Sequence, residues 1–147
     1  MKEELLQSLK ETHAYAEDFL RTLKNKELHA TVVGLSGDLG SGKTTFVRSV
    51  AQILGVEHEI ASPTFVIAKF YDIPNDSRWK QLVHVDAYRI EDPEEIRPLR
   101  LTETFADPKN LVIVEWPEQL GVFFPKDATM LKLRFIDETT RGIQKES

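Results

Sequence analysis

The chain has no cysteine among its 147 residues. That absence excludes a disulfide framework and a thiolate zinc site, and it permits a reducing compartment without requiring one. Nor does any apolar run approach the ~18 residues of a membrane-spanning helix. The N-terminal Met1-Lys2-Glu3-Glu4 carries acids and leads into a helical pattern with no apolar signal core behind it. The expectation is a cytoplasmic chain with no membrane role. Basic charge is also short, since 19 Lys and Arg stand against 24 Asp and Glu for a net −5. This argues against a surface built for general nucleic-acid binding, while leaving room for a partner that carries the nucleic acid itself. Internal repeats and low-complexity segments are missing as well. A hydrophobic fraction of 41% and a charged fraction of 29% fit one globular domain spanning residues 1–147.

Periodicity supplies the elements. Ser8 followed by Glu11 has capping-box spacing, and Ala14, Ala16, Phe19, Leu20 and Leu23 recur at helical intervals, predicting a helix from near Ser8 to Lys24. His29 to Leu35 is β-rich and short, a buried strand. Thr44 to Leu54 places Phe46, Val47, Val50, Ala51 and Leu54 on one face, with Gly55 as a stop. Phe65 to Tyr71 and Gln81 to Asp86 read as an antiparallel strand pair around the Pro74-Asn75-Asp76-Ser77 turn. Asp92-Pro93-Glu94-Glu95 starts short helical pieces, broken by Pro98 and ending near Phe105. Asn110 to Glu115 has the continuous apolar character of a central parallel strand, and Thr129 to Ile136 alternates as a last strand. From Asp137 onward the tail reads as polar and mobile at its tip.

Between the first strand and the second helix lies Gly37-Asp38-Leu39-Gly40-Ser41-Gly42-Lys43-Thr44, which satisfies G-x-x-x-x-G-K-S/T at every position. Glycine lets the backbone take conformations closed to other residues, so that successive N–H groups converge on phosphate oxygens. The N-terminus of the following helix adds a favourable dipole. Lys43 supplies a mobile positive charge for β- and γ-phosphates, and the Thr44 hydroxyl is suited to Mg²⁺. A chance glycine-rich turn would lack the apolar strand before the loop and the amphipathic helix after it. The pattern predicts an α/β, three-layer P-loop NTPase fold, with a mostly parallel central sheet and flanking helices, binding ATP and Mg²⁺.

Two acids stand where apolar strands run out. Asp86 follows Leu82-Val83-His84-Val85, and Glu115 follows Leu111-Val112-Ile113-Val114. Ligands of open α/β sheets collect beyond the carboxyl ends of strands, so both acids are candidates for holding metal or orienting water. The alternative is a pair of ordinary turn-capping acids, and the residues do not say which of the two touches the metal. His84 reads as a buried, hydrogen-bonded histidine in preference to a chemical group. Trp116 is either core or a stacking platform for a base or a partner.

The loop, Ser62-Pro63-Thr64-Phe65, His84-Val85-Asp86-Ala87-Tyr88-Arg89 and Glu115-Trp116-Pro117-Glu118 occur in that order. Together they resemble the TsaE (YjeE) family of small bacterial ATPases, needed for the threonylcarbamoyladenosine modification at position 37 of tRNA, over roughly residues 8–142. The resemblance implies weak ATPase activity alone and work with the TsaD–TsaB complex, which performs the transfer and meets the tRNA itself. It implies nucleotide contacts from Gly37, Asp38, Leu39, Gly40, Ser41, Gly42, Lys43, Thr44 and Thr45. Glu115 would join Thr44 on the metal, and Asp86 would position water or a metal-bound water; Lys43, Asp86 and Glu115 form the catalytic set. Ser62 and Thr64 would lie in a switch-like loop, while Thr12, His13 and Arg141-Gly142 approach the nucleotide. Departures are Ser41 for a usual alanine, Ala87 for leucine, and Arg100 where glycine is frequent.

A small-molecule P-loop kinase is the competing reading, but Arg78, Arg89, Arg97 and Arg100 are scattered and form no compact lid in the sequence. A GTPase is disfavoured by the missing N-K-x-D motif, since Asn25-Lys26-Glu27-Leu28 lacks the aspartate. A binding module that does not hydrolyse its nucleotide is the third class. Lys43→Ala is expected to weaken ATP binding at least about tenfold, because charge-assisted hydrogen bonds contribute ~1.5–3 kcal/mol each. Unchanged affinity by calorimetry in a folded variant would refute the phosphate-loop reading.

Overall fold

Alternation along the strands assigns each side chain to one of two faces of a single sheet, and the helices cover both. The computed structural model describes residues 2–57, 60 and 67–146. The strands are β1 (Glu4–Leu6), β2 (Thr31–Ser36), β3 (Ala68–Asp72), β4 (Gln81–Asp86), β5 (Asn110–Glu115), β6 (Thr129–Phe135) and β7 (Arg141–Glu146). Their order across the seven-stranded sheet is β1-β7-β6-β2-β5-β4-β3. β6, β2, β5 and β4 run parallel, while β3 pairs antiparallel with β4 at one edge, and at the other β7 pairs antiparallel with β6 and β1 antiparallel with β7. This is the mixed α/β sheet, parallel in its centre, that the loop and strand pattern predicted.

Helices α1 (Leu9–Thr22) and α2 (Lys43–Ile53) pack on one face. Val33 and Leu35 of β2, Leu82 of β4, Leu111 and Ile113 of β5, and Leu131 and Leu133 of β6 meet Phe19, Phe46, Val47 and Val50 there. Phe46 takes the rings of Phe19 and Tyr15 edge-on, with centroids 6.0 and 6.4 Å away. On the opposite face, Val32, Val83, Val85, Val112 and Val114 meet Ile90, Ile96, Leu101, Phe105 and Leu120. That layer is made of short pieces: a 3-10 helix at Pro93–Leu99, α3 (Leu101–Ala106), and 3-10 turns at Pro117–Phe123 kinked at Gly121. No helix among the described residues is long and apolar enough to cross a membrane.

Local chemistry explains the boundaries. The Ser8 hydroxyl caps α1 by accepting from the Glu11 N–H at 3.1 Å, and the Glu11 carboxylate accepts from Gln7 N–H, one residue before the cap. At the other end of α1 the carbonyls of Leu20 and Leu23 accept from the Arg78 guanidinium, which Asp76 holds in place. α1 therefore stops at Thr22, two residues short of the expected end, with its last carbonyls satisfied. β4 and β5 fall on the expected residues, and the antiparallel pairing of β3 with β4 is present. The portion of the expected Phe65–Tyr71 strand before Ile67 lies outside the described residues.

The polar tail is a correction. Arg141–Glu146 is no mobile end but β7, bonded to β6 on one side and to β1 on the other. Its alternation is weak because charged residues take the outer positions and Ile143 alone supplies a large buried side chain. Cross-strand pairing, including Arg134 to Glu3 between β6 and the N-terminus, holds what the residue types do not. β1 was not anticipated at all.

Arg100 joins the 3-10 helix to α3 in a left-handed conformation, φ 58° and ψ 34°. That geometry costs a non-glycine residue ~1–2 kcal/mol, against ~0.5–1 kcal/mol of added chain entropy for glycine. The exposed Arg100–Glu103 pair offsets little. Arg100→Gly is therefore expected to raise stability by about 0.5 kcal/mol, read from the urea midpoint at constant m-value. A lower midpoint would show that this arginine relieves its own backbone strain.

Candidate functional site

β2 delivers the chain to the carboxyl edge of the sheet, where Gly37, Gly40 and Gly42 take φ of 143°, 80° and 100°. Gly37 is the tightest point: a Cβ there would collide with the Leu133 carbonyl oxygen of β6 and approach Ser41 Oγ to 2.8 Å. Ser41 N–H donates to the Asp38 carbonyl at 3.1 Å and closes the loop, with the Ser41 side chain fully buried. α2 starts at Lys43 with Gly42 as a cap that offers no side-chain acceptor, and no acid stands in its first turn. The N–H groups of that turn thus receive no acceptor from a capping side chain, the arrangement that suits an anion.

Lys43 is buried, and its ammonium donates to the carbonyls of Gly37 and Asp38 at 2.5 and 2.9 Å. It also lies 4.3 Å from the centre of the Trp116 ring, against which Tyr88 packs at 5.1 Å. Burial pushes Lys43 below the ordinary lysine range, while the carboxylates of Glu115, Glu118, Asp86 and Asp38 pull the other way. Trp116 is held at φ 60°, ψ 51°, a left-handed backbone that turns the chain directly after β5.

Register brings the acids to this place. β2, β5 and β4 are parallel neighbours with Leu35 opposite Glu115 and Glu115 opposite Asp86. Period-2 alternation then sends His84, Asp86 and Glu115 to the face that carries α2. Both Glu115 oxygens lie 3.0 Å from Thr44 Oγ1, and Glu115 Oε2 lies 2.6 Å from His84 Nε2. Asp86 accepts from the Tyr88 N–H at 3.1 Å. Among the described residues no three His, Cys, Asp or Glu side chains form a metal cage. An oxygen pair able to share a cation with a ligand is nevertheless present in Thr44 and Glu115.

Lys43, Thr44 and Glu115 are therefore brought together, with Asp86 beside them. Thr12 and Arg141 line a second feature, a cleft of about 410 Å³ between the start of α1, the loop and the β6–β7 hairpin, shared with Ser41, Gly42 and Thr45. Arg141 donates to the Gly40 carbonyl at 2.9 Å and so ties β7 to the loop. Leu39 sits at the loop tip with its side chain 67% exposed. His13 does not line this cleft, and Gly142 is a pairing residue of β7 whose missing Cβ makes room for the Glu3 carboxylate. Ser62 and Thr64 lie outside the described residues. The residue pattern missed Gln7 and Thr139 in the cleft, because the β1 and β7 beside them were not read as strands, and Leu133, because the place of β6 beside the loop is set by sheet order. It also missed His84 on Glu115, a contact made across two strands.

The family model for the threonylcarbamoyl adenosine biosynthesis protein TsaE matches residues 6–143. The chain belongs to the TsaE family. It is 35% identical over 145 residues to the tRNA threonylcarbamoyladenosine biosynthesis protein TsaE of Rickettsia typhi, covering 97% of this chain and 94% of the relative. The TsaE of Streptomyces coelicolor is 43% identical over 115 residues, covering 77% and 75%. The TsaE of Aquifex aeolicus is 32% identical over 146 residues, covering 98% and 95%. The crystal structure of YdiB from Bacillus subtilis superposes with a TM-score of 0.72 at 27% identity, covering 98% of this chain and 83% of that one. Membership in the TsaE family ties the chain to tRNA threonylcarbamoyladenosine biosynthesis.

Gly37→Ala tests the loop geometry. The added methyl meets backbone on β6, which cannot swing aside as a side chain can. The expected loss is about 1–3 kcal/mol of stability, seen as a lower urea midpoint. An unchanged midpoint would mean that loop and β6 separate freely.

Proposed function

We propose that this chain is a magnesium-dependent ATP hydrolase, slow alone, that drives a step of tRNA threonylcarbamoyladenosine formation together with the TsaD–TsaB complex in the cytoplasm. It is not itself the transferase, and it meets tRNA only through that complex. The observation that carries the reading is the clasp of the Thr44 hydroxyl on both Glu115 oxygens beneath a glycine loop that buries Lys43.

The residues fit ATP and Mg²⁺. The first turn of α2 has no acidic side chain to compete with a phosphate, and the space above Gly40 is open. Oxygens on adjacent corners of a magnesium octahedron lie about 3.0 Å apart, given bonds of ~2.1 Å. Thr44 Oγ1 and the Glu115 oxygens already hold that separation of 3.0 Å. When bound, ATP with Mg²⁺ supplies the scissile phosphoanhydride and the neutralisation of its charge.

Each residue then has a physical task. Lys43 exchanges carbonyl partners for phosphate oxygens, a stronger charge-assisted contact for a buried ammonium. Glu115, nearly enclosed, holds the cation side of the site with Thr44. Asp86, level with Glu115 in the sheet, is the group to orient a water for in-line attack. Thr12 and Arg141 flank the cleft that suits the nucleoside.

The kinase reading is weakened by what three of its four arginines do, Arg89 aside. Arg78 is committed to the end of α1, Arg97 pairs with Glu94, and Arg100 pairs with Glu103. Exposed Leu39 and Tyr88 instead rim the loop with apolar surface, as a partner-facing site would.

Phosphate release measured with and without the TsaD–TsaB pair tests the proposal. Slow release alone, faster release with the pair, and tighter association in the ATP-analogue state than with ADP are expected, because a nucleotide shifts a partner equilibrium only by differential affinity. Glu115→Ala should lower partner-stimulated release at least about tenfold while weakening nucleotide binding less. Equal association in the ATP, ADP and nucleotide-free states would sink the coupling, and rapid phosphorylation of a nucleoside or sugar would promote the kinase.

A further inference from the structure

We propose that His84 is the positioning residue of the site: it fixes the Glu115 carboxylate in the rotation that presents it to Thr44 and the metal. The inference rests on the magnesium-dependent reading of the site above.

His84 lies in the middle of β4, fully enclosed, with its Nε2 2.6 Å from Glu115 Oε2. An ionised carboxylate only accepts, so Nε2 carries the donated proton. The other ring nitrogen, Nδ1, is buried and has no partner among the described residues. Leaving a buried polar atom without a partner is destabilising, a penalty that a leucine or phenylalanine at the same place would avoid. A side chain chosen only to fill the face between Leu82 and α2 would not carry that penalty. The imidazole is explained by what it does at Nε2.

Glu115 needs that contact. The last torsion of a glutamate is broad and nearly two-fold, so burial alone leaves its oxygens free to rotate. Thr44 has one hydroxyl hydrogen and lies equally far from both oxygens, 3.0 Å each, and so does not choose between them. His84 breaks the symmetry by taking Oε2, which leaves Oε1 for a cation. The parallel register makes the arrangement rigid, because His84 pairs with Ile113, two residues before Glu115 on the adjacent strand and on the same face. Outer partners of this kind orient metal-binding groups, and their loss typically costs 10–100-fold in metal affinity.

The test uses the whole chain and titrates the non-hydrolysable ATP analogue AMP-PNP by calorimetry, with saturating Mg²⁺ and with EDTA. The ratio of the two affinities reports the metal contribution without turnover. In the wild type magnesium should tighten binding, and His84→Leu should cut that ratio by about tenfold while leaving the affinity in EDTA within about threefold. His84→Gln, whose amide reaches as far as Nε2, should restore the ratio to within about threefold of wild type. A folded His84→Leu with the wild-type ratio would overturn the proposal, as would a His84→Gln no better than His84→Leu. If His84→Leu does not fold, the proposal stands or falls on His84→Gln keeping the wild-type ratio. A wild type indifferent to magnesium would instead bring down the metal reading itself, and this inference with it.

Discussion

A carboxylate removed from water must be compensated on the spot, and in this chain that requirement falls on Glu115. Its neighbours are set by three separate parts of the sequence: the start of α2 gives Thr44, the middle of β4 gives His84, and β5 carries Glu115 itself. Neither contact exists unless β2, β5 and β4 lie side by side in the observed register. The sheet order and the site are therefore one constraint. A shift of a single residue between β4 and β5 would turn His84 toward the opposite layer and take from the buried Glu115 its imidazole partner.

The edge of the sheet contributes in a less obvious way. β6 and β7 form a hairpin whose backbone at Leu133 presses on Gly37 and whose Arg141 grips the Gly40 carbonyl. The glycine-rich loop is thus shaped from both sides, by its own glycines and by a hairpin about a hundred residues later in the chain, the span of the Arg141–Gly40 bond. β1 pairs along the far side of β7 and places Leu6 and Gln7 at the cleft. What reads as a charged tail in the sequence is one wall of the candidate site.

Legibility followed how local each determinant was. β4 and β5 were readable to the residue because both are buried on both faces and bounded by polar positions. The Ser8 cap and the Asp92-Pro93 helix start were readable because capping and proline chemistry act within a few residues, whereas the break expected at Pro98 falls instead at the left-handed Arg100, with Pro98 inside the 3-10 helix. β7 was not, since Arg141, Gln144, Lys145 and Glu146 have little strand character and pairing alone holds them. The same division runs through the site. The loop announces itself by spacing, whereas His84 meets Glu115 only through strand register, and the pull of Arg78 on α1 crosses 58 residues.

The length of the Thr44–Glu115 connection has a consequence for how the molecule is made. These partners are 71 residues apart, and β2 can take its place between β5 and β6 only after both have been synthesised. During translation the glycine-rich loop leaves the ribosome long before the carboxylate it is built around. Its strand waits with both edges unpaired. Nonlocal parallel pairing of this kind closes large loops before any contact rewards them, so the central strands assemble late and together. A nascent chain halted before Asn110 would carry the whole glycine-rich sequence from Gly37 to Thr44 and none of the cross-strand geometry around it.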